Sequence, residues 1–367
     1  MPNIPLLALV ALLLMPVQEA RAAAATSDGA GSSDGRSSRQ APSLKLPETL
    51  EGAPPGQAPP LIPAASPPAV AAAEDTVVPF PFGGRDRLYR LYVPKSVNPE
   101  KRLPLVVVLH GAFGSAAKIS KKSGFSALAE RHGFIAAFPQ GTSLARTWNS
   151  GHCCGRSYKQ KVDDVGFLAA VIEDIGAGYP VDPNRIYMVG ESNGGMMAYR
   201  YAAERTSELA AIGVVAGTIG GELPKGQGPW KIPKPRAPIA VIAIHGADDR
   251  RIPYDGSGGK TVSATESVQF FVRENPCAAK PQEAHLLFAD KVLYAWWAGC
   301  ALSSNVVLVT LDGFGHAWPN PKTARGLGTQ GGRPFDAATV IWEFLKRERR
   351  WRKIDMTPAQ PPKARSP

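Results

Sequence analysis

Between Thr76 and Lys346 the chain alternates short apolar runs with longer stretches of helical period. Leu103–Leu109 is apolar at every position, the pattern of a strand covered on both faces. Phe134–Phe138, Arg185–Val189, Ala211–Val215, Ile239–Ile244 and Val306–Leu311 repeat this pattern in shorter form, the last being the expected final strand. Ahead of them, Val77–Phe82 and Leu88–Val93 flank Gly83-Gly84-Arg85-Asp86-Arg87 and predict an opening hairpin. Ser123–His132, Asp164–Gly176, Met196–Glu204 and Phe335–Arg347 predict helices, with Asp163 or Asp164 available to cap the second. This alternation of strand and helix predicts an α/β fold: a mostly parallel central sheet with helices on both faces. Thr218–Pro238 is rich in Gly, Pro and Lys and shows no clear element. It reads as an excursion over a site or as a plain surface loop.

The pattern divides the chain into four parts. Residues 1–22 read as a signal peptide: Leu6 to Val17 is an apolar run, and Ala20-Arg21-Ala22 places small residues where a signal peptidase reads them. The run is too short for a membrane span, so the expected location is secreted or periplasmic. Residues 23–75 read as a disordered linker, since nine of the 27 residues from Pro42 to Pro68 are proline, a composition that favours an extended spacer. Residues 76–346 form the expected catalytic domain, and 347–367 a basic, Pro-rich tail. From Lys346 onward the chain carries a net charge of +6, more than half of the whole-chain +11. That concentration suits an anionic surface. Without a zinc-finger, helix-turn-helix or RNA-binding signature, it does not argue for nucleic acid.

The chemistry centres on Gly190-Glu191-Ser192-Asn193-Gly194. A β-prone run precedes this element and a helix former follows it. Strand, tight turn and helix are what a nucleophile elbow requires. Ser192 is the expected nucleophile. It needs a base and a group that orients the base. Asp249, in His245-Gly246-Ala247-Asp248-Asp249, follows one strand, and His316, in Gly313-Phe314-Gly315-His316, follows the next. Serine, acid and histidine in that chain order match the α/β-hydrolase arrangement. Asp248 is the alternative acid and His245 the alternative base. The expected oxyanion donors are the backbone N–H groups of Asn193 and of Ala112, in His110-Gly111-Ala112-Phe113-Gly114, with Phe113 the alternative to Ala112.

Four cysteines, Cys153, Cys154, Cys277 and Cys300, allow three full pairings. A Cys277–Cys300 bridge is favoured because it closes a loop of moderate length. That would leave Cys153 and Cys154 as an adjacent pair or as free thiols. His152-Cys153-Cys154 lacks the spacing of a metal site, so no metal and no cofactor is expected.

Taken together, these residues resemble the secreted esterases that group polyhydroxybutyrate depolymerases with feruloyl and acetyl-xylan esterases. The resemblance covers roughly Val78 to Leu345. It rests on Leu109-His110-Gly111, on Trp148-Asn149-Ser150-Gly151-His152-Cys153-Cys154-Gly155, on Asp163-Asp164-Val165-Gly166-Phe167, on Gly190 to Met197, on the His245 to Pro253 run, and on Gly315-His316-Ala317-Trp318-Pro319. It implies an α/β-hydrolase fold and metal-free hydrolysis of carboxylic esters. It also implies that the Trp148–Gly155 loop lines the acyl site, which makes Trp148, His152 and Trp318 candidate substrate contacts. Depolymerases of solid polyester often carry an extra polymer-binding domain. Here there is only the linker and the tail, which weighs against bulk polyester as the substrate and leaves soluble esters, hydroxyalkanoate oligomers and feruloylated sugars open. Two other functions share the pattern: an acyltransferase using the same site, and an inactive hydrolase fold that binds polymer. The sequence neither ranks the esters nor specifies an oligomeric state.

Overall fold

The computed structural model describes residues 75–95, 100–223, 228–281 and 283–350. The expected signal peptide, nearly all of the linker and the tail beyond Arg350 lie outside them. The strands are β1 (Thr76–Pro79), β2 (Leu88–Tyr92), β3 (Leu103–Leu109), β4 (Ile135–Pro139), β5 (Val181–Glu191), β6 (Ala211–Val215), β7 (Gly220–Glu222), β8 (Pro229–Lys231), β9 (Ala240–Gly246), β10 (Glu283–Leu287), β11 (Val292–Trp297), β12 (Val306–Leu311), β13 (Thr329–Gln330) and β14 (Arg333–Pro334). The helices are α1 (Ala116–Ser123), α2 (Phe125–His132), α3 (Gly155–Lys159), α4 (Asp164–Gly178), α5 (Asn193–Glu204), α6 (Ala264–Glu274) and α7 (Ala337–Leu345).

Ten strands form one sheet in the order β1-β2-β4-β3-β5-β6-β9-β12-β11-β10. The six from β4 to β12 run parallel, and an antiparallel hairpin extends each edge. Side chains alternate between the faces of a strand. Leu105, Val107 and Leu109 of β3 therefore join one core with Phe167 and Leu168 of α4, Met197 and Tyr201 of α5, and Phe271 of α6. Val106 and Val108 join a second core with Ile119 of α1, Phe125 of α2, and Ile341 and Trp342 of α7. A strand buried on both faces explains the unbroken apolar run in the sequence.

The differences from expectation are local. Ser123–His132 is not one helix: Gly124, at φ 80°, ends α1 and starts α2. A glycine takes that left-handed conformation without the Cβ penalty of other residues. Val306–Leu311 closes the parallel block but is not the final strand of the chain, since the β13–β14 ribbon follows it. The β10–β11 hairpin completes the sheet edge, and α6 packs against β9 and β12. The N-cap of α4 is Asp163, whose Oδ1 accepts the Gly166 N–H at 2.8 Å. Thr218–Pro238 contains the small β7–β8 ribbon. Cys277 and Cys300 are bonded, with Cα atoms 4.3 Å apart, and Cys153 pairs with Cys154. Closing the 23-residue separation of the first pair stabilises the fold by about 3 kcal/mol on the chain-entropy estimate.

Candidate active site

Parallel strands bring their C-terminal ends to one edge, so the loops after β3, β5, β9 and β12 converge there. Ser192 sits between β5 and α5 at φ 53° and ψ −122°, a conformation a β-carbon makes costly. The elbow holds it. A Cβ on Gly190 would strike the Gly194 backbone, and one on Gly194 would press 2.6 Å from the Leu109 carbonyl oxygen. The Ser192 N–H donates to the Val215 carbonyl at 2.8 Å.

Asp249 lies after β9 and His316 after β12, neighbouring strands in the sheet. His316 Nδ1 stands 2.7 Å from Asp249 Oδ2, and His316 Nε2 stands 2.9 Å from Ser192 Oγ. A carboxylate only accepts, so Nδ1 carries the imidazole proton. Nε2 is then the acceptor for the Ser192 hydroxyl. Asp249 Oδ1 accepts the N–H groups of Arg251 and Ile252, each at 2.9 Å. Burial opposes the charge on Asp249. Hydrogen bonds from His245, His316 and Ile252 outweigh it and hold the carboxyl well below the usual range. Asp248 is exposed, outside this chain of bonds. His245 Nε2 is 2.9 Å from the Ile252 carbonyl oxygen and 3.4 Å from Asp249 Oδ2, so it supports the acid rather than the serine.

The loop after β3 presses on the elbow: a Cβ at Gly111 would lie 3.2 Å from Ser192 Cβ. The Phe113 N–H is committed to the Ala145 carbonyl at 2.8 Å, which favours Ala112 of the two candidates. Asn193 opens α5, so its N–H is among those without a helical partner. His110 fixes the loop from below. Its Nε2 accepts the Gly141 N–H at 2.9 Å, so its Nδ1 donates to the Gly111 carbonyl at 2.8 Å. Burial pushes the His110 ring down to about 4, and it stays neutral at pH 7.

Two expected substrate contacts lie elsewhere. Trp148 has no exposed surface, and its Nε1 donates to the His110 carbonyl at 2.8 Å. Trp318 is 2% exposed and packs edge-on against Phe125. Side chains closed off from solvent cannot meet an arriving ester, so both are core residues beneath the site. Tryptophan in a site loop reads the same in sequence whether it faces in or out. His152 is buried too, but its ring stacks on Trp230 of β8, with centroids 5.6 Å apart.

Two residues carry more than their sequence signal suggested. The Asn193 side chain clamps Trp148: Oδ1 accepts its N–H at 2.7 Å and Nδ2 donates to its carbonyl at 3.1 Å. Asp164 is no cap. Buried, it accepts from Arg87 Nη2 and from the Asn149 N–H, both at 2.8 Å. Trp230 gave no signal beyond an aromatic residue inside a Gly- and Pro-rich stretch. Among the described residues, no group of three or more His, Cys, Asp and Glu side chains is placed to hold a metal ion. No described helix is long and apolar enough to cross a membrane.

The profile of the family described as "Esterase PHB depolymerase" matches residues 87–228. The protein named "Putative esterase NocK" of Nocardia uniformis subsp. tsuyamanensis is 33% identical over 270 residues, covering 68% of this chain and 76% of that one. "Feruloyl esterase B" of Piromyces equi is 27% identical over 234 residues, covering 61% of this chain but only 41% of the relative. Among solved structures, the ferulic acid esterase of Anaeromyces mucronatus without substrate superposes with a TM-score of 0.51 at 12% identity. It covers 77% of this chain and 93% of that one, a likeness of fold. With its mostly parallel sheet and helices on both faces, the chain belongs to the polyhydroxybutyrate depolymerase and feruloyl esterase-like family of α/β-hydrolases, and is a carboxylic-ester hydrolase.

Proposed function

We propose that this chain is an exported serine esterase whose nucleophile, base and orienting acid are Ser192, His316 and Asp249. The single observation that supports this reading is the unbroken chain of hydrogen bonds from Ser192 Oγ through His316 to Asp249. His316 takes the Ser192 proton as Oγ attacks the ester carbonyl. Asp249 holds the imidazole in the required tautomer and stabilises the imidazolium. The backbone N–H groups of Ala112 and Asn193 receive the developing oxyanion. The alcohol leaves with the proton from His316. Water then attacks the acyl-enzyme, with His316 again as base, and frees the acid. The substrates are esters of hydroxyalkanoate oligomers or of feruloyl-type acids, and export runs through residues 1–22.

Ser192→Ala and His316→Ala should each lower kcat by about 10⁴-fold or more. Esterase activity near wild type in either variant contradicts the reading. The panel is p-nitrophenyl esters of increasing length, methyl ferulate and hydroxybutyrate oligomers. Adding an alcohol acceptor separates hydrolysis from acyl transfer: free acid remains the main product if water is the acceptor. A new ester as the main product makes the chain an acyltransferase.

A further inference from the structure

Glu191 ends β5 and stands between Gly190 and the nucleophile in the elbow. A carboxylate is an awkward neighbour for a serine whose reaction builds an oxyanion. Glu191 is 7% exposed, so water and salt screen its charge little. It also faces the loop after β3. A Cβ built on Gly111 would lie 3.2 Å from Ser192 Cβ and 3.7 Å from Glu191 Oε2, so the nucleophile and the carboxylate meet the same glycine. Ala112, the favoured oxyanion donor, is the next residue.

Lys122 answers that charge. From the last turn of α1 its Nζ stands 2.7 Å from Glu191 Oε1 and 2.5 Å from Oε2. The Lys122 carbonyl accepts from Asn320 Nδ2 at 3.3 Å, which ties the end of α1 to the segment that follows His316. The charge of Lys122 is felt at the loop after β3 as well. Burial is the main cause of the low His110 value, and Arg146, Lys122 and Arg87 lower it further. With Lys122 half-exposed, the pair contributes little to stability. Its place beside the elbow is what sets it apart.

We propose that Lys122 is a positioning residue of this esterase: acting through Glu191, it neutralises the carboxylate and holds it off the oxyanion site. This rests on the reading of Ser192 as nucleophile. In the tetrahedral state the ester carbonyl oxygen gains a negative charge, and an unneutralised carboxylate beside Gly111 repels it. The ground-state ester is neutral, so the same carboxylate barely affects its binding. The loss of Lys122 therefore falls on kcat and not on KM.

The test follows p-nitrophenyl butyrate hydrolysis at pH 8, with rates expressed per serine titrated by diethyl p-nitrophenyl phosphate. Lys122→Met keeps the apolar stem and removes the charge. It should lower kcat about tenfold or more, with KM within about twofold of wild type. Lys122→Arg keeps the cation and should retain most of kcat. The double variant, Lys122→Met with Glu191→Gln, removes both charges and should recover most of the loss. Glu191→Gln alone should cost less than Lys122→Met, because the lysine it strands attracts the oxyanion. Butylboronic acid, which becomes a tetrahedral anion on the serine, should bind Lys122→Met about tenfold more weakly than wild type. A pair that only braces the fold gives another pattern: each single loss costs alike, and the double variant recovers nothing. That pattern, a loss carried by KM, or wild-type kcat in Lys122→Met overturns the proposal. If Lys122→Met does not fold, Lys122→Gln carries the same comparison. Ser192→Ala is the independent arm: turnover that persists there overturns the reaction scheme, whatever Lys122 does.

Discussion

The two walls beside Ser192 are built on opposite principles. On the side of β3, every polar atom of the His110 ring is used: one nitrogen holds Gly141, the other Gly111. Above it, Asn193 saturates the backbone of Trp148. On the side of the β7–β8 ribbon, His152 is also buried, but neither ring nitrogen has a partner within ideal hydrogen-bond geometry. A satisfied network fixes geometry, which an oxyanion site needs before the reaction begins. Burial alone therefore does not tell how firmly a histidine is held; the count of partners does.

The largest effect tests the frame on which both walls hang. Asp249→Asn should cost on the order of 10⁴-fold in kcat, since the amide favours the wrong His316 tautomer. Asp248→Asn, at an exposed neighbour, should stay close to wild type. The reverse result would move the acid by one residue. Kinetics on p-nitrophenyl butyrate read both.

The next effect separates the walls by stability. Asn193→Ala strands the buried Trp148 N–H, while the Trp148 carbonyl keeps the Cys154 N–H at 3.1 Å, and should lower unfolding free energy by about 1–3 kcal/mol. His152→Phe should cost nothing. Urea unfolding of the two variants measures this. Equal losses would erase the distinction drawn here.

The smallest effect is a slope. His110 and His152 both have folded pKa values near 4, below the ordinary 6.5. Above pH 6.5 neither state takes up the proton, and their stability contribution is complete. As pH falls from 6.5 toward 4, the unfolded chain protonates first and stability is lost, by at most about 1.4 kcal/mol per pH unit for each ring. His152→Phe should flatten that slope by about one proton. Thermal melts between pH 4 and 7 check it, and an unchanged slope would mean His152 is not buried neutral.

Much of this was legible because burial on both faces leaves an unmistakable run. Leu103–Leu109, Ala211–Val215 and Val306–Leu311 hold their predicted ends in the fold. The convergence of Ser192, Asp249 and His316 was legible too, because parallel strands carry their following loops to one edge. What escaped depends on direction rather than pattern. Gly124 splits a helix without disturbing its period. Trp148 and Trp318 sit in site loops but point into the cores. Asp163 and Asp164 are adjacent carboxylates of which one caps a helix and the other anchors a loop. Trp230 lies in a stretch whose composition predicts no element, and only the fold brings it to His152.

The central claim is that Ser192 becomes covalently acylated through His316. Labelling with diethyl p-nitrophenyl phosphate, followed by peptide mass spectrometry, tests it most directly. The account predicts one diethylphosphoryl group per chain, on the peptide containing Ser192. Activity should fall in proportion to the label, with no adduct in Ser192→Ala and slow labelling in His316→Ala. A label on another residue that tracks the loss of activity, or full activity after stoichiometric modification of Ser192, would contradict it.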